Sequence, residues 1–172
     1  MIDETVPIWS VKQAILRCHV SRWRRAIHHK RRGSPMPVKD IPIPTPVTQP
    51  YWDALDRHEL MIQRCAQCSA ANFYPRLACP SCGSRRIDWV RASGRASLHS
   101  YVINHVPAPG FEDEVPYVIA IVQLEEGPRM MTNLREVVIA PEALPLDMAL
   151  EVTFEGCGGR TLPMFRPAGT AA

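Results

Sequence analysis

Four cysteines in two Cys-x-x-Cys pairs constrain the fold of this 172-residue chain more than any other feature. In chain order they are Cys65, Cys68, Cys79 and Cys82. Two residues between thiolates let one turn present both sulfurs to one ion, and two such turns complete a tetrahedron with Zn–S bonds of about 2.3 Å. Gly83 suits the left-handed position that follows the second pair, whereas Ser69 at the matching place costs about 1 kcal/mol relative to glycine.

This spacing predicts a structural zinc ion. Residues 65–88 contain too few large apolar side chains to fold alone, and metal binding supplies on the order of 10 kcal/mol in zinc peptides. Iron accepts the same four ligands in a rubredoxin-like site and is the alternative metal. Disulfides are less favoured because nothing marks the chain as secreted, so we expect a cytoplasmic protein. Four protein thiolates leave no position for water, which argues against a catalytic zinc.

The first 35 residues differ from the rest in charge. They hold eight Lys or Arg and two acidic residues, a net charge of +6. Residues 36–172 hold 12 Lys or Arg and 15 acidic residues, a net charge of −3, so the formal net charge of +3 for the whole chain describes neither part. Apolar residues recur among the basic ones at near-helical spacing, as in a membrane-surface helix, a nucleic-acid arm or an organelle presequence. Because Met36-Pro37-Val38-Lys39 would make an ordinary protein start, we expect residues 1–35 to be an extension outside the fold.

Residues 36–59 are interpreted as a proline-rich arm and a short helix. Six prolines lie between positions 35 and 50, and proline disfavours both helix interiors and central strands. Thr48 offers an N-cap for a helix over about 50–58. Its apolar stripe consists of Tyr51, Trp52 and Leu55. A helix this short is marginal alone, so the stripe must dock on the rest of the chain or on a partner.

The second half of the chain is typical of a β-structure. Its strand-like segments are 95–106, 116–125, 129–135, 149–155 and 161–166, separated by Gly and Pro. We therefore predict a mainly β fold: a rubredoxin-like zinc ribbon over 60–90, a five-stranded OB-fold barrel over 91–167 and a tail over 168–172. The run Tyr117 to Val122 does not alternate, which predicts burial on both faces. No apolar run is long enough to span a membrane.

The chain carries no familiar catalytic motif, so we predict no catalytic residue and do not expect it to be an enzyme alone. Cys18 and Cys157 are interpreted as bystanders. A reactive Cys157 thiol with His99 or His105 as its base is the alternative. The acidic triplet at 112–114 is interpreted as a solvated loop tip.

Several stretches nevertheless match a known family, in order over about residues 37–167. They include Gln63-Arg64-Cys65-Ala-Gln-Cys68, Tyr74-Pro-Arg76, Cys79-Pro-Ser-Cys-Gly-Ser84, Asp113-Glu-Val-Pro-Tyr-Val-Ile119, Glu126-Gly-Pro-Arg129, Met131-Thr-Asn-Leu134 and Arg160-Thr-Leu-Pro-Met-Phe-Arg-Pro167. The chain resembles the zinc-ribbon plus OB-fold proteins associated with acyl-CoA metabolism, long catalogued as a domain of unknown function. It departs from the family at Ser69, where glycine is usual, and at Met164, where a basic residue is common.

The resemblance implies an accessory subunit that works beside a thiolase-like enzyme of the lipid-transfer-protein type or a hotdog-fold enoyl-CoA hydratase. In such proteins the barrel is thought to help hold the acyl-CoA thioester or to complete the partner's active site. Phe111, Tyr117 and Asn133 are the expected acyl-CoA or partner contacts, because they flank the loop and strand motifs that match.

Nucleic-acid binding is the rival function, because zinc ribbons and OB barrels both serve it. Phosphate binding needs concentrated Lys and Arg. Residues 36–172 carry a net charge of −3 and no basic run with interleaved aromatics. We therefore expect a protein partner and acyl-CoA, and no nucleic acid.

Overall fold

The structure is a computed structural model that describes residues 43–107 and 113–169. Within these ranges the elements are α1 (Gln49–Leu55), β1 (Met61–Cys65), β2 (Ala71–Asn72), β3 (Ile87–Arg91), β4 (Arg95–Asn104), β5 (Tyr117–Leu124), β6 (Arg129–Asn133), a 3-10 helix (Pro141–Ala143), β7 (Ala149–Cys157) and β8 (Arg160–Pro167). The extension 1–35 and Phe111 lie outside the described residues. Within the described ranges, none of the helices has the length and hydrophobicity that a membrane span requires.

The ribbon is a small antiparallel sheet in the order β2-β1-β3. Gln63 on the central strand pairs with Asn72 on one side and with Trp89 on the other. Because Cys65 is the last residue of β1, the sheet holds the first cysteine pair at its end.

The barrel is an antiparallel sheet of five strands in the order β6-β5-β4-β7-β8. An isolated parallel bridge between Leu134 and Phe165 links its two ends, so the barrel is nearly closed. The mainly β fold with a five-stranded barrel after the cysteine cluster is confirmed. Strand boundaries differ from the predicted ones by one or two residues at most ends.

One prediction about β5 is wrong. Val118, Ala120, Val122 and Leu124 are buried, but the side chains that alternate with them are only half-buried. The strand therefore has one core face and one outward face, although both faces are apolar. The outward face stays partly open because, in the described ranges, no element of the chain fully covers this side of the sheet, where Met131 is 70% exposed.

Helix α1 is shorter than predicted and ends at Leu55. Thr48 stands at the N-cap, but its hydroxyl accepts a hydrogen bond from the Thr45 N–H at 2.9 Å and makes no cap bond. Tyr51, Trp52 and Leu55 are buried in one core together with residues of the ribbon and the barrel. The apolar stripe thus docks on the chain itself.

The end of α1 is tied to the β7–β8 hairpin. The backbone N–H of Thr161 donates to the Asp56 carboxylate at 3.2 Å, and Arg160 forms an ion pair with the same group at 3.3 Å. The His58 ring stacks on Phe154 with centroids 5.2 Å apart. These contacts connect the segment that precedes the ribbon to the strand hairpin that ends the barrel.

Candidate functional site

The four ribbon cysteines converge on one point. Their sulfur atoms all lie within 4.8 Å of one another. The Cys65 and Cys82 sulfurs are 3.6 Å apart, as are those of Cys68 and Cys79. Sulfurs bound to one tetrahedral ion at about 2.3 Å stand about 3.8 Å apart, so the described geometry fits such an ion. Cys65 and Cys79 are buried, while Cys68 and Cys82 face solvent.

Two matching turns present these thiols. The Ser69 N–H donates to the Cys65 carbonyl and the Gly83 N–H to the Cys79 carbonyl, both at 2.9 Å. Both donors have left-handed backbones, with φ of 61° at Ser69 and 74° at Gly83. The serine therefore occupies the same conformation as the glycine, as its position in the motif predicts.

Backbone N–H groups aim at the sulfurs. The N–H groups of Cys68 and Gln67 hold the pKa of the Cys65 thiol below its usual value against the opposing effect of burial. Burial raises the pKa of the Cys79 thiol, but the N–H groups of Cys82 and Ser81 outweigh it and bring the pKa down to about 6. At Cys68 the Ala70 N–H also lowers the pKa, but the neighbouring cysteine sulfurs and burial outweigh it and raise that pKa to about 12. The turns thus favour the thiolate form that a metal requires at Cys65 and Cys79.

A cleft of about 500 Å³ opens on the barrel, well away in sequence from the cysteine pairs. Its main lining residues are Glu114, Asn133, Arg135, Glu155, Cys157, Leu162 and Met164. Glu155 pairs with Leu162 across β7 and β8, which places both on one face of the hairpin, opposite the core residue Phe165. The cleft therefore lies on the outside of the barrel.

Arg135 is the charged centre of this cleft. Its Nε donates to a Glu155 carboxylate oxygen at 2.7 Å, and its terminal nitrogen lies 3.9 Å from Glu114. The hydrogen bond to Glu155 is the main reason that the pKa of the Arg135 guanidinium is raised, with the charge of Glu114 adding to it. Glu114 is half-buried beside this cation. It is therefore not the solvated loop-tip residue that the acidic triplet suggests.

The structure brings two of the three expected contact residues to one side of the sheet. Asn133 lines the cleft, and it pairs with Ile119, two residues from Tyr117 on the same strand face. The Tyr117 hydroxyl accepts a hydrogen bond from the Asn104 amide at 2.7 Å. Phe111 lies outside the described residues.

Neither His99 nor His105 is among the lining residues of the cleft that holds Cys157. The sequence does not predict that Arg135, Glu155 and Leu162 line one cleft together with Asn133 and Cys157. Each comes from a different segment of the chain, and only the barrel topology brings them together.

Comparisons with known proteins agree with this architecture. Residues 52–88 match the sequence model described as "ChsH2, rubredoxin-like zinc ribbon domain". Residues 89–155 match the one described as "ChsH2, C-terminal OB-fold domain". The two matches are contiguous and cover more than half of the chain.

Two curated relatives are longer proteins. A probable enoyl-CoA hydratase alpha subunit of Thermomonospora curvata is 42% identical over 120 residues, which are 69% of this chain and 36% of that protein. The 3-oxo-4,17-pregnadiene-20-carboxyl-CoA hydratase alpha subunit of Mycobacterium tuberculosis is 36% identical over 139 residues, 76% of this chain and 43% of that protein. This chain thus spans less than half the length of either relative.

One chain of a solved structure is matched over nearly its whole length. The matched chain of an "Ltp2-ChsH2(DUF35) aldolase" is 38% identical, with a TM-score of 0.65, and the match covers 74% of this chain and 99% of that one. The cysteine spacing, the barrel topology and these likenesses agree: the chain belongs to the DUF35 family of ChsH2-type proteins, in which a rubredoxin-like zinc ribbon precedes an OB-fold domain.

Proposed function

We propose that this chain is an accessory subunit that binds a partner enzyme of acyl-CoA metabolism and helps to hold the acyl-CoA. The partner is a thiolase-like enzyme of the lipid-transfer-protein type or a hotdog-fold enoyl-CoA hydratase. Two relatives named as hydratase alpha subunits and a relative named in an aldolase with Ltp2 support this role. Tyr117 and Asn133 are proposed to contact the partner or the acyl-CoA.

The observation that carries the proposal is the outward face of β4, β5 and β6. Val102 pairs with Ile119 and Met131 pairs with Ile121, so these four apolar side chains share that face. Val102 is 55% exposed and Met131 is 70% exposed. Contiguous exposed apolar residues on a small protein mark an interaction surface. The face adjoins the cleft through Asn133.

We also propose that the ribbon holds one structural zinc ion through Cys65, Cys68, Cys79 and Cys82. Four thiolates close the tetrahedral shell, so the ion supplies folding energy and no open position for a substrate. Elemental analysis of the purified chain should find about one zinc per chain. A preparation with iron in place of zinc, or with neither metal, contradicts this assignment.

Purification of the tagged chain from its native source tests the subunit role. The partner is identified by mass spectrometry, purified alone, and assayed on an acyl-CoA with and without this chain. We expect binding and a higher rate with the chain, and loss of both in Met131→Asp. Leu77→Asp is the matched control, because Leu77 is similarly exposed but belongs to the ribbon.

One observation favours nucleic-acid binding as the second candidate function. Residues 60–91 hold five arginines and one aspartate, and Arg64, Arg76 and Arg85 on the ribbon are exposed. Binding of a single-stranded oligonucleotide with steep salt dependence, with no acyl-CoA enzyme bound, would replace the proposed function with this one. The acidic barrel, where residues 92–172 hold ten acidic and five basic side chains, argues against it.

A further inference from the structure

We propose that the cleft beside Arg135 receives a slender neutral chain that carries amide groups, the chemistry of the pantetheine arm of an acyl-CoA. The inference rests on the proposed function and deepens it, because it assigns to the barrel one part of the ligand. The nucleotide end of the acyl-CoA is excluded from this cleft.

The size and floor of the cleft suit such a chain. A volume of about 500 Å³ is within the usual range for small-molecule sites. Leu162 and Met164 form an apolar floor on β8. An apolar floor with a few polar groups on the walls binds the carbon chain of a ligand and orients its polar atoms.

The charges of the cleft argue against a phosphate. Among the described lining residues Glu114 and Glu155 flank Arg135, the one cation, so the formal charges of these residues sum to −1. Phosphate sites use arginines whose guanidinium is available for two parallel hydrogen bonds. Here the Nε of Arg135 already donates to Glu155, and the carboxylates would repel a polyanionic nucleotide.

The hydrogen-bonding groups match an amide. An amide in the ligand offers one N–H donor and one carbonyl acceptor, so it needs both kinds of partner. The Asn133 side chain supplies a donor and an acceptor, Arg135 retains N–H donors beyond Nε, and the Glu155 carboxylate has further lone pairs. A neutral amide chain can therefore be satisfied here without burying an unpaired charge.

Cys157 lines the same cleft and provides a reporter for the test. Pantethine, the disulfide of pantetheine, is reacted with the metal-loaded protein in a Cys18→Ser background. The Cys157 thiolate attacks one sulfur of the disulfide, a new S–S bond forms, and pantetheine leaves as the thiolate and takes up a proton. Mass spectrometry of the tryptic peptide measures the rate. The reference reagent is 2-hydroxyethyl disulfide, which has no amide arm.

We expect pantethine to react roughly tenfold faster than the reference reagent once each rate is divided by the rate with a small free thiol. Asn133→Ala should bring this ratio close to one. Gln123→Ala should leave it unchanged, since Gln123 lines a separate groove. Equal corrected rates for pantethine and the reference reagent in the protein with an unmutated cleft would overturn the proposal. This comparison does not depend on whether a cleft variant folds.

Adenosine 3′,5′-bisphosphate separates the two ends of the ligand. If it protects Cys157 from labelling, the nucleotide end occupies the cleft and the proposal is wrong. An unchanged labelling rate in the presence of the bisphosphate supports the proposal. If pantethine and the reference reagent label Cys157 at equal corrected rates while the chain still binds and activates its partner enzyme, the cleft assignment is wrong and the proposed function stands. If pantethine labels Cys157 selectively but purification yields no partner enzyme, the cleft assignment is supported and the subunit role is contradicted.

Discussion

At the scale of single residues, Ser69 shows how a metal turn tolerates an imperfect side chain. It repeats the left-handed backbone of Gly83 and the same hydrogen bond to the carbonyl of the leading cysteine. A residue with a Cβ is strained in that region, and glycine is not. The cost stays small enough for the metal to offset it, because zinc binding supplies on the order of 10 kcal/mol.

Ser69→Gly should therefore raise the free energy of unfolding of the metal-loaded protein by about 1 kcal/mol. Urea unfolding followed by fluorescence measures the change. Ser100→Gly is the matched control, because it makes the same substitution in the strand β4, where glycine should cost roughly 0.5–1 kcal/mol. A loss of stability in both variants would contradict the strain at Ser69.

Tyr51 predicts a pH dependence. Burial raises the pKa of its hydroxyl above the ordinary value, and the nearby Tyr74 adds to the effect. The folded protein thus keeps the proton that the unfolded chain loses above about pH 10. The contribution to stability is complete below pH 10 and declines above it by up to about 1.4 kcal/mol per pH unit.

Tyr51→Phe should remove this alkaline decline. Unfolding free energies at pH 9, 10 and 11 measure it, with Tyr101→Phe as the control, since Tyr101 lies on β4 of the barrel. An equally steep decline in Tyr51→Phe would show that other groups cause it.

At the scale of elements, the spacing of apolar residues and the positions of Gly and Pro between the segments predict most of the fold. The five barrel strands were predicted within a few residues because their Gly and Pro boundaries fall where the chain turns. The two faces of β5 could not be told apart, because Ile119 and Ile121 are as apolar as their buried neighbours. Composition shows which side chains avoid water, but only the arrangement of neighbouring elements decides which of them are covered.

Helix α1 joins elements that are distant in sequence. It packs against β1 of the ribbon and β8 of the barrel, and its residue Leu55 is fully buried in the core that these elements share. Leu55→Ala should lower the unfolding free energy by about 2–5 kcal/mol, because it leaves a cavity in a shared core. Asp53→Ala, at an exposed position of the same helix, should change it by less than about 0.5 kcal/mol. Chemical denaturation compares the two, and similar losses would contradict the joining role.

At the scale of the whole molecule, one core extends through the ribbon, the helix and the barrel. Leu60 and Ile62 belong to the same cluster of buried residues as Phe165. The metal should therefore stabilise more than its own turns. The four thiols were recognisable from local spacing alone, whereas the cleft was not, because Glu114, Asn133, Glu155 and Leu162 meet only through barrel closure.

Removal of the metal by a strong chelator should lower the melting temperature of the barrel as well as unfold the ribbon. Calorimetry should show one transition in the loaded protein, because the core is continuous, and a weaker, lower transition after chelation. Restoring zinc should recover the original curve. A barrel transition that chelation leaves in place would show that the two parts fold independently.

The single bridge between Leu134 and Phe165 has a consequence for motion. Elsewhere in the barrel each strand is bound to a neighbour by a ladder of backbone hydrogen bonds. Among the described residues this seam has the bridge, the bond from the Arg135 N–H to the Phe165 carbonyl at 2.8 Å and the bond from the Thr132 hydroxyl to the Pro163 carbonyl at 3.0 Å. Opening the seam sacrifices few bonds, so amide protection against hydrogen exchange should be lowest along it. Arg135 itself sits on this seam, so a partial opening there would move its side chain while the ladders stay intact.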